Sequence, residues 1–300
     1  MTAPTTPTGI LLGSFKPGTP EWDQARAGLC ITATEIAAVM GLSPPSWQSR
    51  FSLWHKKAGL PVPPFQPSPA MEWGIRHEPT IAAKYAEEHP ELTLTTTGTW
   101  RHADREWQRA TPDLIGDDRI VEIKTAATAE GWGEPGTDEV PIYYRCQVIQ
   151  QMDVLGGYRR TDFAVLIGNC DYREYTVWFD EADAKLMRDA AEEFLDTVRR
   201  GERPDPDGSE ITYNTAKLQA TGRDDTEIDI GPHLAGRYRD ALDLARAMDD
   251  NRRNINTLIL QRIGTAKYAT SLGERVAIRT VKPDGTTHSL MPFRTGEKSH

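Results

Sequence analysis

The chain has 300 residues, and its 35 Lys and Arg against 44 Asp and Glu give a formal net charge of −9. With 38% hydrophobic and 26% charged residues, it has the composition of an ordinary globular protein. A membrane-spanning helix needs about 20 consecutive apolar residues. The sequence contains no such run, so we exclude membrane insertion and expect no membrane partner.

The first residues and the cysteines indicate where the protein is located and which cysteine-based sites it lacks. Residues 1–9 are rich in Thr and Pro, without the basic cluster and apolar stretch of a signal peptide, so we expect a cytoplasmic protein. Cys30, Cys146 and Cys170 are odd in number and form no CxxC pair. This pattern excludes a disulfide framework and a cysteine-held zinc or iron–sulfur site.

The first third of the chain is predicted to be a leader followed by helices. Because of its composition, we expect the segment 1–19 to be a disordered leader. Apolar residues then recur at helical spacing in three segments, separated by Gly41, Pro44-Pro45 and a Pro-rich extended run. The predicted helices cover 34–40, 49–58 and 70–88.

The middle of the chain combines strands with further helices. Runs of β-branched and apolar residues bounded by polar turns predict the strands, and a 3.6-residue apolar period predicts the helices. The polar turn at 116–119 is typical of a hairpin. The predicted strands cover 92–97, 99–102, 107–114, 120–124, 163–167 and 174–179, and the predicted helices cover 143–155 and 183–200.

A charged segment rich in Pro and Gly at 202–208 predicts a domain boundary near residue 203. The extension at 204–300 is predicted to contain a helix over 232–263 with an incomplete apolar stripe, and a small hairpin around Asp284-Gly285. The order of elements predicts an α/β (α+β) fold, with a central mixed sheet flanked by helices.

Two carboxylates and one lysine stand at a spacing that indicates a catalytic site. Thr111-Pro112-Asp113 is followed, after eight residues, by Glu122-Ile123-Lys124. Because side chains alternate along a strand, Glu122 and Lys124 point to one face. Two carboxylates on a largely apolar hairpin need a partner, and a hard cation such as Mg²⁺ supplies one. Bound Mg²⁺ would activate water and neutralise a phosphate, while Lys124 orients or deprotonates that water.

The same spacing also fits an exposed hairpin with weak salt bridges, and the surrounding segments favour the catalytic interpretation. The residues resemble the PD-(D/E)xK nuclease motif, with Pro112-Asp113 as PD and Glu122-Ile123-Lys124 as ExK. Over roughly residues 20 to 200 the chain is similar to the YqaJ-like viral recombinase family, to which the lambda-type phage exonucleases are related. The similar segments are 31–44, Leu53-Trp54, Lys57-Ala58-Gly59, Met71-x-x-Gly74-x-x-x-Glu78-Pro79 and Gln147-x-x-x-Gln151-Met152.

The resemblance implies a restriction-endonuclease-like nuclease core at 20–203 and assigns roles within it. Asp113 and Glu122 would bind the metal together with the main-chain carbonyl of Ile123. Mg²⁺ is the implied ion, and Mn²⁺ is the expected substitute. The resemblance also implies that Lys124 is the catalytic lysine. Glu78 would complete the metal site or hold a water molecule. Gln147 would help to position the nucleophile or the scissile phosphate.

A second implied site holds the DNA end. The segment 31–35 occupies the place where lambda-type exonucleases bind the terminal 5′ phosphate, at a helix start suited to anions. Thr34 and Arg26 are the candidates, although a helix cap and a surface charge would also explain them. Trp47 and Trp54 are candidates for stacking on a frayed base, but the helical spacing of Trp54 favours a core position.

The expected function is therefore a Mg²⁺-dependent exodeoxyribonuclease. It would degrade one strand of linear duplex DNA from 5′ to 3′ and leave a 3′ single strand for recombination. The alternatives are an endonuclease of the same fold in restriction or repair, and a DNA-end-binding recombination accessory without catalysis.

The resemblance also implies partners and a location. The expected partners are double-stranded DNA ends and a single-strand annealing protein of the RecT or lambda-Beta kind. A homo-oligomeric ring is a further expectation, in which the stripe on 232–263 would contact a neighbouring subunit. If the chain is phage-encoded, its location is the cytoplasm of the host cell.

Overall fold

The computed structural model describes residues 5–293, which form one compact unit up to Gly222 and a second from Arg223 onward. The predictions for 1–4 and 294–300 lie outside the described residues. The elements of the first unit are β1 (Ile10–Gly13), α1 (Pro20–Arg26), β2 (Ile31–Thr32), α2 (Ile36–Val39), α3 (Arg50–Lys57), α4 (Pro69–Glu88), β3 (Thr95–Thr96), β4 (Thr99–Arg101), β5 (Gln108–Ala110), β6 (Leu114–Ile115), β7 (Ile120–Ala126), α5 (Ile142–Leu155), β8 (Arg160–Ile167), β9 (Asp171–Trp178), α6 (Glu181–Arg200) and α7 (Glu210–Lys217).

The central sheet is mixed, as the order of elements predicts. Its five strands lie in the order β3-β6-β7-β8-β9, in which β7 and β8 run parallel and the other pairs are antiparallel. A parallel pair needs a long crossover connection, and α5 provides it. The predicted hairpin between β6 and β7 is present, with Leu114 opposite Val121.

Helices cover both faces of this sheet because β7 alternates its side chains. Val121 and Ile123 pack with Ile81 of α4 on one face. On the other face, Phe163 of β8 packs in the main core with Met152 of α5. The region around β7 is therefore held between two helices, and the polar residues of β7 must find partners in the interior.

A smaller sheet, in the order β1-β4-β5-β2, corrects two predictions. The predicted leader includes strand β1, which pairs antiparallel with β4, and Gly9 N–H donates to the Leu155 carbonyl at 2.8 Å. The predicted strand over 107–114 is two strands in different sheets. They are interrupted at Pro112, which has no N–H to donate to a ladder.

The helices predicted between residues 20 and 203 are present, and their ends have physical causes. Ser68 caps α4 by accepting from Met71 N–H, and Asp180 caps α6. Gly201 ends α6 at a φ of +71°, in the left-handed region that favours glycine.

The first unit continues beyond the boundary predicted near 203. Helix α7 packs on α3, where Thr212 Oγ1 donates to Ser49 Oγ at 2.7 Å. Because both hydroxyls are buried, this contact ties the segment after the charged linker to the core. The composition of 202–208 is typical of a domain boundary, but the first unit continues beyond it. The apolar pattern of the α7 sequence is too short to predict this attachment.

The second unit consists of α8 (Gly231–Ile263) and an antiparallel sheet of β10 (Tyr268–Ser271), β11 (Glu274–Val281) and β12 (Thr287–Pro292). The predicted long helix and hairpin are both present. Within residues 5–293, no helix is long and apolar enough to cross a membrane. The apolar side chains that α8 exposes include Leu234, Tyr238, Leu242, Met248 and Leu258.

Candidate active site

The hairpin of β6 and β7 brings the three motif residues together. Asp113 directly precedes β6, and its Oδ2 accepts a hydrogen bond from the Ile123 N–H of β7 at 2.8 Å. Glu122 and Lys124 share one face of β7, as the period of two predicts, and Lys124 Nζ lies 2.5 Å from Glu122 Oε1. The link from Asp113 to the backbone of β7 fixes the carboxylate beside this pair.

Glu122 is only 2% exposed, and the crossover helix satisfies its carboxylate. Gln147 Nε2 donates to Oε1, and Gln151 Nε2 donates to Oε2 at 2.8 Å. These glutamines lie one helical turn apart on α5, so both amides reach the same carboxylate. Gln151 Oε1 is buried without a hydrogen-bond partner among the described residues, which leaves one acceptor beside the site.

Glu78 reaches the same region from α4. Gly74 lets this helix approach β7 closely, because a Cβ at that position would lie 3.2 Å from Thr125 Oγ1. Glu78 follows one turn later and lines a cavity of about 430 Å³. That volume is within the range of small-molecule sites. The other residues lining the cavity include Thr34, Trp47, Met71, Ile123, Lys124, Tyr143, Tyr144 and Gln147.

Burial and like charge raise the pKa of two of these carboxyl groups. Burial and the nearby Glu122 raise the pKa of Asp113 well above its usual value. The same two causes raise the pKa of Glu78. Burial disfavours the charged form of Lys124, but the carboxylates of Glu122 and Asp113 outweigh it and raise the lysine pKa. The site therefore concentrates negative charge around one ammonium group.

The donor chemistry of this cluster fits a hard divalent cation. Asp113, Glu122 and Glu78 offer oxygen atoms, and the charge of Glu122 opposes ionisation of the other two, a cost that a cation would relieve. Between residues 5 and 293, no three His, Cys, Asp or Glu side chains form a ready metal cluster. Mg²⁺ does not require one, because it is commonly bound by one or two carboxylates, waters and substrate phosphates.

The two residues predicted for the DNA end lie together. Arg26 Nη2 donates to Thr34 Oγ1 at 3.0 Å, and the guanidinium lies 4.3 Å from the centroid of the Trp22 ring. Thr34 lines the same cavity as Lys124. The following helix α2 has only four residues, so it offers little helix dipole, and the cation beside Thr34 is Arg26.

Glu35, which the sequence analysis did not assign, holds this turn in place. Its Oε2 accepts from Thr32 N–H at 3.1 Å, and its carboxylate pairs with Lys57 at 2.8 Å and Lys56 at 2.9 Å. Burial alone would raise the pKa of Glu35, but the two lysines lower it to about 2. The pattern of Glu35 followed by Lys56-Lys57 gives no sign of this long-range contact.

The sequence analysis also missed Tyr143 and Tyr144 at the cavity. The sequence could have indicated that Gln151 lies beside Gln147, because it follows Gln147 by four residues on a predicted helix. Trp54 lies in the core with 4% exposure, as its helical spacing predicts. Trp47 is 52% exposed and lines the cavity.

Residues 21–159 match the family model of the YqaJ-like viral recombinase domain. The predicted resemblance to this family is thereby confirmed. The YqaJ-like match contains every residue assigned above to the metal, the phosphate or catalysis. Comparison with curated proteins finds no match.

Two solved structures are similar to part of this chain. An alkaline exonuclease, LHK-Exo from Laribacter hongkongensis, is 23% identical, with a TM-score of 0.50 over 61% of this chain and 94% of that chain. A phage related exonuclease from Haemophilus somnus 129PT is 12% identical, with a TM-score of 0.43 over 57% and 96%. The first likeness confirms the predicted fold class.

Proposed function

We propose that the chain is a Mg²⁺-dependent exodeoxyribonuclease that degrades one strand of linear duplex DNA from 5′ to 3′. The observation that carries the proposal is one cavity lined by Glu78, Lys124, Gln147 and Thr34. Glu122 pairs with Lys124 of its lining, and Asp113 accepts from the N–H of Ile123, which also lines it. Groups for cleaving a phosphodiester and for holding a terminal phosphate are thus a short distance apart.

Asp113, Glu122, Glu78 and the main-chain carbonyl of Ile123 would hold the ion, with Mn²⁺ as a substitute. When bound, the ion lowers the pKa of a water and neutralises phosphate charge. These ligands come from the residue before β6, from β7 and from α4, so the fold must be complete before the ion finds its full set.

Lys124 is the residue that we assign to the reacting phosphate. Its ammonium is held by Glu122 and lies 4.8 Å from the centroid of the Tyr144 ring, so its position is restricted on two sides. From the cavity wall it is placed to donate to a non-bridging phosphate oxygen, where it would stabilise developing negative charge. Gln147 and Gln151 hold the Glu122 carboxylate, which keeps the lysine in that position.

Polarity would come from Arg26 and Thr34. Their contact presents a cation and a hydroxyl where a 5′ phosphate would bind, with the next phosphodiester near Lys124. Hydrolysis adds the water oxygen to phosphorus and releases the 3′ oxygen, which takes up a proton. The products are a 5′ mononucleotide and a strand with a new 5′ phosphate, so the cycle repeats from 5′ to 3′ and leaves a 3′ single strand.

Digestion of linear duplex DNA labelled at either end, with and without Mg²⁺, tests this function. We expect mononucleotides to be released from the 5′ end only when Mg²⁺ is present. A closed circular duplex is the control and should remain intact. Cleavage of the circle would support the endonuclease alternative, and binding without any cleavage would support the accessory alternative.

We also propose a single-strand annealing protein of the RecT or lambda-Beta kind as a partner and a ring-shaped homo-oligomer as the assembly. Support for the partner comes from the YqaJ-like family match. The apolar side chains exposed along α8 support self-association. Co-purification of the chain with a co-expressed annealing protein of the RecT kind would test the partner, and no association would contradict it.

A further inference from the structure

An aromatic cluster forms one wall of the cavity. The centroid of the Trp47 ring lies 5.1 Å from that of Tyr143 and 6.1 Å from that of Tyr144. All three rings line the cavity that also contains Thr34 and Lys124. The polar groups proposed for two phosphates therefore face an apolar, aromatic surface.

Trp47 is the exposed tryptophan that the cavity wall contains. It is 52% exposed, and although Trp73 and Trp178 of the same unit are exposed to a similar extent, neither of them lines the cavity. The planes of Tyr143 and Tyr144 are inclined to its indole by 68° and 53°, so neither ring stacks in parallel on it. The indole therefore keeps an open π face at the cavity, on which a base can stack.

The proposed function places a nucleoside at this wall. If the terminal 5′ phosphate binds at Arg26 and Thr34 and the next phosphate binds at Lys124, the sugar and base between them must lie in this cavity. Its volume of about 430 Å³ is in the range of ligand sites. Beside the aliphatic side chains of Met71 and Ile123, the aromatic wall offers the base a flat π surface.

We propose that Trp47, supported by Tyr143 and Tyr144, forms a stacking subsite for the nucleobase of the 5′-terminal nucleotide. The subsite rests on the proposed function and adds how the end is held during initiation. Every base has a π face, so stacking holds any of the four bases without reading their sequence. Such a subsite would align the first phosphodiester with Lys124 while accepting all DNA ends.

Two 5′-phosphorylated duplexes test the subsite, one with a mismatched terminal adenosine nucleotide and one with a terminal abasic nucleotide. Pairing is absent from both ends, so they differ only in the base. We expect the unmodified protein to initiate about ten-fold faster on the adenosine end, the size of one base–aromatic stack. Trp47→Ala should remove this difference, and Trp47→Phe should keep most of it. Trp178→Ala, at an exposed tryptophan outside the cavity, is the matched control and should change nothing.

A binding measurement separates this proposal from the proposed function. The affinity of each duplex is measured by fluorescence anisotropy in Ca²⁺, with the unmodified protein and with Trp47→Ala. Tighter binding of the adenosine end, lost in Trp47→Ala, supports the subsite even if cleavage is absent and the exonuclease assignment fails. Equal effects of Trp47→Ala on both ends, or no effect on either, would overturn the subsite while leaving an active exonuclease in place.

Discussion

At the scale of single residues, the Glu122 carboxylate affects both the stability of the fold and the proposed catalysis. It is almost fully buried, and Lys124, Gln147 and Gln151 all donate to it. An ionised carboxylate in the interior costs several kcal/mol unless such donors offset the loss of water. The three donors therefore stabilise the fold and orient the proposed catalytic group at the same time.

Lys124→Ala should abolish cleavage. Removing a group that stabilises developing charge costs about 10²- to 10³-fold in rate, and initial rates on end-labelled duplex would measure the loss. Lys185→Ala is the matched control, because that lysine is exposed and pairs with Asp189 on α6. A near-native rate for Lys124→Ala would contradict the active-site assignment.

Glu122→Gln should abolish cleavage as well, because a neutral amide cannot replace the carboxylate as a metal ligand or as the partner of Lys124. Circular dichroism should show the same helix content, with a lower melting temperature because the Lys124 ammonium loses its ion pair. Equal activity of Glu122→Gln and the unmodified protein would exclude Glu122 from the site.

The double variant Thr34→Val with Arg26→Ala should lose most of the preference for 5′-phosphorylated ends, because it removes both the hydroxyl and the cation at the proposed anchor. Basal hydrolysis, which depends on Asp113, Glu122 and Lys124, should remain. The measurement is the ratio of initiation rates on 5′-phosphate and 5′-hydroxyl duplexes, with the exposed Arg199→Ala as control. If the unmodified protein degrades both ends at the same rate, the anchor proposal fails.

At the scale of elements, Glu35 connects the turn between β2 and α2 to α3, and this connection should be acid-sensitive. Its pKa of about 2 lies below the usual 4.5, so the carboxylate stabilises the fold above pH 4.5 and loses that effect as the pH falls toward 2. The shift corresponds to about 3 kcal/mol at most. Urea unfolding of the unmodified protein and Glu35→Gln should differ at pH 7, and the difference should disappear as the pH falls through about 2. A difference independent of pH would contradict this role.

The sequence predicts elements well where one local pattern dominates. The apolar period of α5 and α6 and the continuous apolar run of β8 depend on neighbours within a few residues, and these elements were predicted. Strand β1 and the attachment of α7 depend on partners far along the chain, such as Trp100 and Ser49, which no local window contains.

The candidate site follows the same rule. The spacing within Asp113-x8-Glu122-x-Lys124 comes from one hairpin, so the sequence shows it directly. The contact of Glu35 with Lys57 joins positions 22 residues apart, and Tyr144 reaches Lys124 only after the crossover forms. Pattern alone could therefore name the motif but not the residues that orient it.

At the scale of the whole molecule, the expected assembly is testable by mass. Light scattering of a ring should give at least three times the chain mass of 33.5 kDa, because a closed ring needs three or more subunits. Leu242→Glu and Met248→Glu on the exposed apolar side of α8 should reduce that mass if the stripe forms the contact. A strict monomer for the unmodified protein at working concentrations would remove the ring proposal.

The crossover between β7 and β8 also has a consequence for the time course of folding. Gln151 lies 29 residues from Glu122, and Gln150 Nε2 donates to the Ile31 carbonyl across 119 residues, so α5 docks only when distant parts of the chain have met. Contacts of such large sequence separation form slowly. During refolding from urea, helical signal should therefore return before nuclease activity. Newly synthesised chains would pass through a stage that holds helices but cannot yet cut DNA.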